Sequence, residues 1–422
     1  MGVPRAPRGP VPRNRGRDSP PRAVRWPRPP LPRAPLRDPP PRPPPQPSPA
    51  GFDYGFRTQT ARRLNQDLQD GEVPPAGFAV ARANFERELL GIRTSVRLRD
   101  FAAVRDNLPP SPVIDALFGA HVGFAKGLAR LDEALEARGL LPALPPPASE
   151  RPADLGPGGA GRAGVRERLA QLRLSNDAVY QRDLKRESER KAGGSEPPLF
   201  TRAIYFALCV VLDVLYYNRP VPKFWVLETV ARMPYFAYTS VLHLYESLGW
   251  WRQGAELRKV HQAEEWNELH HLLIMEALGG DQLWLDRFVA QHAAVLYYWI
   301  LVATYLFSPK ASYQFSELVE GHATDTYEEF LEANADLLRE LPAPTVAVEY
   351  YAGGDLYMFD DFQTERVQGV RRPAVETLYD VFVCIRDDEV EHEKTMVACQ
   401  DPERIARNIG VKLEEARRTA SE

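Results

Sequence analysis

From residue 199 onward, apolar positions recur every three or four residues through a series of long runs, the mark of helices that bury one face. The first run, LFTRAIYFALCVVLDVLYY over 199–217, is almost wholly apolar, with Arg202 and Asp213 as exceptions. Pro220 and Pro222 break it, and Pro222 suits the first turn of a second helix over about 223–248, kinked at Pro234. A third helix over 253–278 stops at Gly279-Gly280. A fourth covers 283–307 and ends at Pro309, a fifth covers 312–341, and a last core helix spans 373–399. Residues 342–372 are rich in Pro and Gly and read as a loop. The expected fold class is all-α.

Upstream the pattern weakens. Residues 112–140 read as an amphipathic helix opened by Ser111 and Pro112, whereas 51–110 show little periodicity. A Pro/Gly linker, PALPPPASERPADLGPGGAGRAG, leads to a charged helical arm over 165–192 that would lie on another surface or in solvent. The resulting organisation is a Pro/Arg-rich segment (1–50), a variable region (51–195), a catalytic domain (196–402) and a charged tail (403–422). Residues 1–50 hold eleven Arg, no Lys and only Asp18 and Asp38 as acids, so they cannot bury a core and should be disordered. That composition fits an organelle transit peptide or a plain disordered tail.

A net charge of -4 says little about partners, but the basic N-terminus lacks an aromatic-interleaved groove or a nucleic-acid motif, which argues against nucleic-acid binding. Cys209, Cys384 and Cys399 have no CxxC or zinc spacing, which argues against a disulfide framework. Two helices raise the question of a membrane. Residues 288–307 are long enough to span a bilayer and 199–217 are borderline. Gln291, His292 and Asp213 would be expensive in hydrocarbon, and Arg287, Arg202, Tyr297, Tyr298 and Trp299 suit an interface. Monotopic attachment to one leaflet is therefore preferred over spanning.

The candidate chemistry lies in six residues. Glu228 stands alone, Glu268 and His271 form a Glu-x-x-His pair, Glu320 stands alone, and Glu389 and His392 form a second pair. Positions three apart share a helical face, so each pair aims a carboxylate and an imidazole at one point. Glu, Glu-x-x-His, Glu and Glu-x-x-His on four helices is the ligand recipe of a di-iron or di-manganese carboxylate bundle. An isolated Glu is more often a surface residue, and two such pairs among eight histidines are not rare by chance. Their interleaving over separate helices is what favours a metal site. Glu317, one turn before Glu320, is the alternative ligand on the fifth helix. Tyr327, two turns after Glu320, is either a redox-active tyrosine or a core residue bonded to a carboxylate. Asn267 and Asp388, next to Glu268 and Glu389, suit a supporting role that orients the imidazoles.

LET (227–229), NELHH (267–271), LVEGHA (318–323) and RDDEVEH (386–392) resemble the alternative oxidase superfamily. Longer stretches such as VLETVARMPYFAY, HLYESLGWWR and NELHHLLIMEALGG look closer to its plastid branch, the plastid terminal oxidases or plastoquinol oxidases. The segment YYAGGDLYMFDDFQTERVQGVRRP matches an insertion, about 345–372, that sets the plastid enzymes apart. Similarity covers roughly 197–402. It implies a ferritin-like four-helix bundle with two additional membrane-facing helices and two non-haem irons held by Glu228, Glu268, His271, Glu320, Glu389 and His392. It also implies Tyr327 as the redox tyrosine, and quinol contacts at Lys223, Leu227 and Thr326. Lys223 departs from the family's usual Arg and loses its fork geometry.

The implied activity is oxidation of plastoquinol with four-electron reduction of O2 to water, in a homodimer on the thylakoid membrane of the plastid. Alternatives are a mitochondrial ubiquinol oxidase, a di-iron hydroxylase and a ferritin-like storage protein. The apolar faces of 199–217 and 288–307 speak against storage.

Overall fold

The computed structural model describes residues 51–56, 75–98, 105, 108–144, 159–192, 197–252, 255–352 and 375–401. The 1–50 segment, the tail after 402 and the insertion beyond 352 lie outside them. Among the described residues the regular structure is entirely helical: α1 (Gly77–Leu98), α2 (Pro112–Ala137), α3 (Gly159–Leu169), α4 (Asn176–Ala192), α5 (Leu199–Leu215), α6 (Pro220–Ser247), α7 (Ala255–Ala277), α8 (Trp284–Phe307), α9 (Pro309–Glu340), α10 (Thr345–Ala352) and α11 (Leu378–Cys399). Only isolated bridges, Phe52 with Pro344 and Pro342 with Thr377, interrupt this pattern.

Helix ends follow local chemistry. Pro220 opens α6 in the first turn, where its missing N–H is no loss, and Pro234 is accommodated inside the same helix. α8 ends at Phe307 as expected, and Pro309 also begins α9 three residues before the expected 312, because Ser308 caps that helix by accepting from the Ala311 N–H. α11 starts at Leu378 rather than 373, where Thr377 and Asp380 form a reciprocal capping box. α7 ends at Ala277 and the turn beyond it passes through Gly279, whose φ of +85° suits glycine, while Gly280 donates back to the Met275 carbonyl. A Cβ on Gly280 would stand 2.4 Å from Trp225 Cβ, so glycine lets the end of α7 press against α6.

α9 lies along α11, α6 lies along α7 and α8, and α7 also touches α11. Phe224, Tyr327, Phe330, Phe382 and Ile385 fill one apolar core, and Tyr235, Tyr238, Tyr305, Tyr313 and Met396 fill a second. α5 and α8 leave much of their apolar surface uncovered. On α8, Val295, Leu296, Trp299, Ile300 and Phe307 are exposed, Phe307 at 91 %. α8 is long and apolar enough, by length and composition, to cross a membrane, with a mean hydropathy of 1.3. Arg287 does not reach toward an interface as expected. It is buried, and its guanidinium forks the Glu88 carboxylate at 3.0 and 2.9 Å.

The upstream region holds more order than its pattern suggested. α1 falls in the weakly periodic stretch because polar contacts, not an apolar stripe, hold it. Arg93 and Arg97 bind Asp132 on α2, with Arg93 Nε 2.7 Å from Asp132 Oδ1, and Glu88 ties α1 to α8. α3 begins at Gly159, inside the expected linker. The 165–192 arm is two helices, since Ser175 Oγ accepts from the Ala178 N–H and starts α4 afresh.

Candidate metal centre

Glu228 on α6, Glu268 and His271 on α7, Glu320 on α9, and Glu389 and His392 on α11 come together in the interior, none more than 2 % exposed. They form two groups, Glu228–Glu268–His271–Glu389 and Glu268–Glu320–Glu389–His392, in each of which the ligand-type atoms lie within 4.8 Å of one another. Glu268 and Glu389 belong to both. His271 turns Nδ1 inward, 3.6 Å from Glu228 Oε2, 3.6 Å from Glu268 Oε2 and 3.2 Å from Glu389 Oε1. His392 does likewise, with Nδ1 2.8 Å from Glu268 Oε1 and 3.9 Å from Glu320 Oε2.

Burial pushes the Glu228 carboxyl up to about 7, and the Glu268 charge beside it adds to the rise. Burial and the Glu389 charge lift Glu320 well above the usual carboxylate range. Glu268 and Glu389 fall below that range, because the two imidazoles outweigh the burial. Glu228 Oε2, Glu268 Oε2 and His271 Nδ1 are buried and have no hydrogen-bond partner among the described residues. Such atoms are costly in a dry interior unless a cation meets them. Four glutamates carry the charge that two divalent ions neutralise, and hard oxygen and imidazole donors without thiolate suit iron or manganese. The residues present therefore fit a pair of such ions.

Glu317 takes no place in either group. Its carboxylate is engaged by Arg190 at 3.1 Å and Gln400 at 2.6 Å. Asp388, fully buried, accepts at one oxygen from His271 Nε2 (3.1 Å), Asn267 Nδ2 (3.1 Å) and the Tyr351 hydroxyl (3.0 Å). The imidazole is thereby held with Nε2 protonated and Nδ1 turned to the cluster. Asn267 also donates to the Tyr350 hydroxyl, and Tyr350 stacks on His270 with centroids 3.9 Å apart. Sequence reasoning missed Tyr350 and Tyr351. They sit in YYAGG at the head of the insertion, a motif that carried resemblance but no assigned role.

Tyr327 donates to Glu228 across the site rather than to Glu320 on its own helix, and its ring stacks on Phe224. Glu320 is served by Tyr235, whose hydroxyl lies 2.8 Å from Oε1. The two tyrosines are counterparts. Each stands seven residues after the glutamate of its own helix and donates to the glutamate of the other, so the spacing that drew attention to Tyr327 would have found Tyr235. Lys223 is buried with Nζ 2.8 Å from Asp213 and 3.1 Å from Asn176. That pairing also accounts for Asp213 within apolar α5. Thr326 is buried and donates to the His322 carbonyl, and Leu227 packs against the first core. A cleft of about 510 Å³ between α4 and α5 is lined by Asp183, Tyr205, Phe206, Asp213, Leu318 and His322.

Glutamate and Glu-x-x-His pairs converging from four helices make a buried carboxylate–histidine cluster that could hold metal. Residues 201–401 match the family model described as alternative oxidase. It is 60 % identical over 190 residues to ubiquinol oxidase 4, chloroplastic/chromoplastic, of Arabidopsis thaliana, covering 45 % of this chain and 54 % of that one. It is 28 % identical over 192 residues to alternative oxidase 3, mitochondrial, of Glycine max (45 % and 52 %). The corresponding figure for ubiquinol oxidase 1b, mitochondrial, of Oryza sativa subsp. japonica is 27 % over 187 residues (44 % and 50 %). The chain spans about half the length of the curated relatives it matches.

Proposed function

We propose that this chain is a membrane-bound quinol oxidase that couples oxidation of plastoquinol to reduction of O2 to water at a pair of irons. The observation that carries this reading is the sharing of Glu268 and Glu389 between two buried ligand groups. In this reading α6, α7, α9 and α11 form a ferritin-like four-helix bundle. The exposed apolar faces of α5 and α8 support attachment to one leaflet. The much closer relative is the plastid one, which favours the plastid, its thylakoid membrane and plastoquinol over the mitochondrial alternative.

Irons held by these six residues would pass the electrons of quinol to O2 and give it a place to bind. The protein's own part is confinement and proton placement. Phe224, Phe330 and Phe382 wall the site off from water. Tyr327 and Tyr235 hold hydroxyl protons on Glu228 and Glu320, where oxygen reduction consumes protons. The cleft between α4 and α5 opens beside the greasy face of α5 and suits a quinol head arriving from the leaflet. Lys223, Leu227 and Thr326 remain the proposed quinol contacts; the ion pair of Lys223 with Asp213 links them to the cleft wall.

With plastoquinol and 18O2, the iron-loaded protein in liposomes is expected to oxidise two quinols per O2 and to place the label only in water. Label in an organic product would make it a hydroxylase instead.

A further inference from the structure

α4 precedes the region matched to the family, yet it is tied to two of the helices that carry the ligand cluster. Arg182, Arg186 and Arg190 are four residues apart and share one face of α4. Arg186 grips two helices at once. Its Nε and Nη2 lie 2.9 and 2.8 Å from the Asp325 carboxylate on α9, and its Nη1 lies 2.8 and 2.7 Å from Glu393 on α11. Arg190 repeats the bridge, 3.1 Å from Glu317 on α9 and 3.4 Å from Glu393. Glu317 and Asp325 flank Glu320 along α9, and Glu393 directly follows His392 on α11. Gly321, next to Glu320, makes room for this contact. A Cβ there would stand 3.0 Å from Arg190 Nη2, 3.1 Å from Glu393 Oε1 and 3.2 Å from Arg186 Cδ.

We infer that α4 is a strap whose Arg186 and Arg190 set the separation of α9 from α11, and with it the placement of Glu320 against His392. Both arginines are positioning residues for the second ligand group. A guanidinium offers donors in a rigid fork, so it holds two carboxylates at a fixed spacing in a way that a point charge cannot. Without Arg186, Asp325 and Glu393 face each other as like charges beside a cluster already rich in carboxylates, and α9 and α11 are driven apart. A functional constellation tolerates displacements of only about 0.5 Å. Arg182 serves as the internal contrast. Its salt bridges among the described residues, to Glu328, Glu329 and Glu332, all stay on α9.

This inference rests on the dinuclear reading, and its test separates the two. Full-length protein is loaded anaerobically with ferrous iron, the iron per chain is counted, and the Mössbauer and EPR spectra are recorded. Wild type and Arg182→Met should hold two magnetically coupled irons. Arg186→Met should fall toward one iron per chain and lose the coupled signature. Gly321→Val, which wedges the strap away with every charge intact, should do the same. Two coupled irons in folded Arg186→Met, or in Gly321→Val should Arg186→Met fail to fold, would overturn the strap. Failure of the wild type to bind a coupled pair would overturn the dinuclear reading beneath it.

Discussion

Glu268→Ala is expected to strip both metal positions at once and to abolish quinol-dependent O2 uptake while leaving helicity intact. Glu268 belongs to both ligand groups, so a single truncation removes a donor from each. If the roughly 10–16 kcal/mol typical of a four-ligand protein metal site is shared among its donors, each position loses about 3 kcal/mol, on the order of 10²-fold in affinity. Without metal, Glu268 is paired with both imidazoles, which hold it below the usual carboxylate range, so the metal is counted per folded chain with circular dichroism as the check. Glu320→Ala is the control, since Glu320 belongs to one group alone. It should cost one ion of the pair. Equal metal loss in the two variants, or wild-type uptake in Glu268→Ala, would contradict the assignment of Glu268 as the shared ligand.

Asp388→Ala should have the next largest effect without touching any donor atom of the cluster. Asp388 is the common acceptor for His271, Asn267 and Tyr351, all buried. Its removal leaves three donors without that acceptor, each worth about 1–3 kcal/mol when left unsatisfied. It also frees the imidazole to rotate or change tautomer. Loss of such a support typically lowers metal affinity about 10–100-fold. The expected outcome is a lower melting temperature together with weaker metal binding at the Glu228–His271 position, read by competition with a chelator. Asp388→Asn should recover part of the stability but less of the affinity, because an amide cannot accept from all three donors and stabilise the imidazole as a carboxylate does. Unchanged affinity in Asp388→Ala would show that His271 is held by its packing alone.

What the sequence made legible is a matter of range. Four of the six clustered side chains stood out because a Glu-x-x-His pair declares its shared face within a single helical turn, and Glu228 and Glu320 drew notice only by their place between the pairs. The long core helices were plain from period and from proline and glycine punctuation, although Pro309 and Thr377 moved two boundaries through capping that periodicity ignores. The contacts that complete the site were not local. Tyr235 and Tyr327 carry the same offset on their helices, yet that each serves the other's glutamate depends on how α6 and α9 face one another. Tyr350 and Tyr351 meet Asn267 and Asp388 across more than thirty positions of chain. The charged arm read as lying on another surface or in solvent, and the sequence could not choose between them because the acidic partners of α4 lie over a hundred residues away. α1 escaped notice for the same reason, as a helix held by ion pairs shows no apolar stripe.

The central claim is spatial: two ions between two groups that share two carboxylates. Anomalous diffraction at the iron absorption edge from crystals of the iron-loaded protein tests it most directly. The account predicts two peaks, one bounded by Glu228, Glu268, His271 and Glu389 and the other by Glu268, Glu320, Glu389 and His392. A single peak, or iron bound anywhere other than between these side chains, would contradict it.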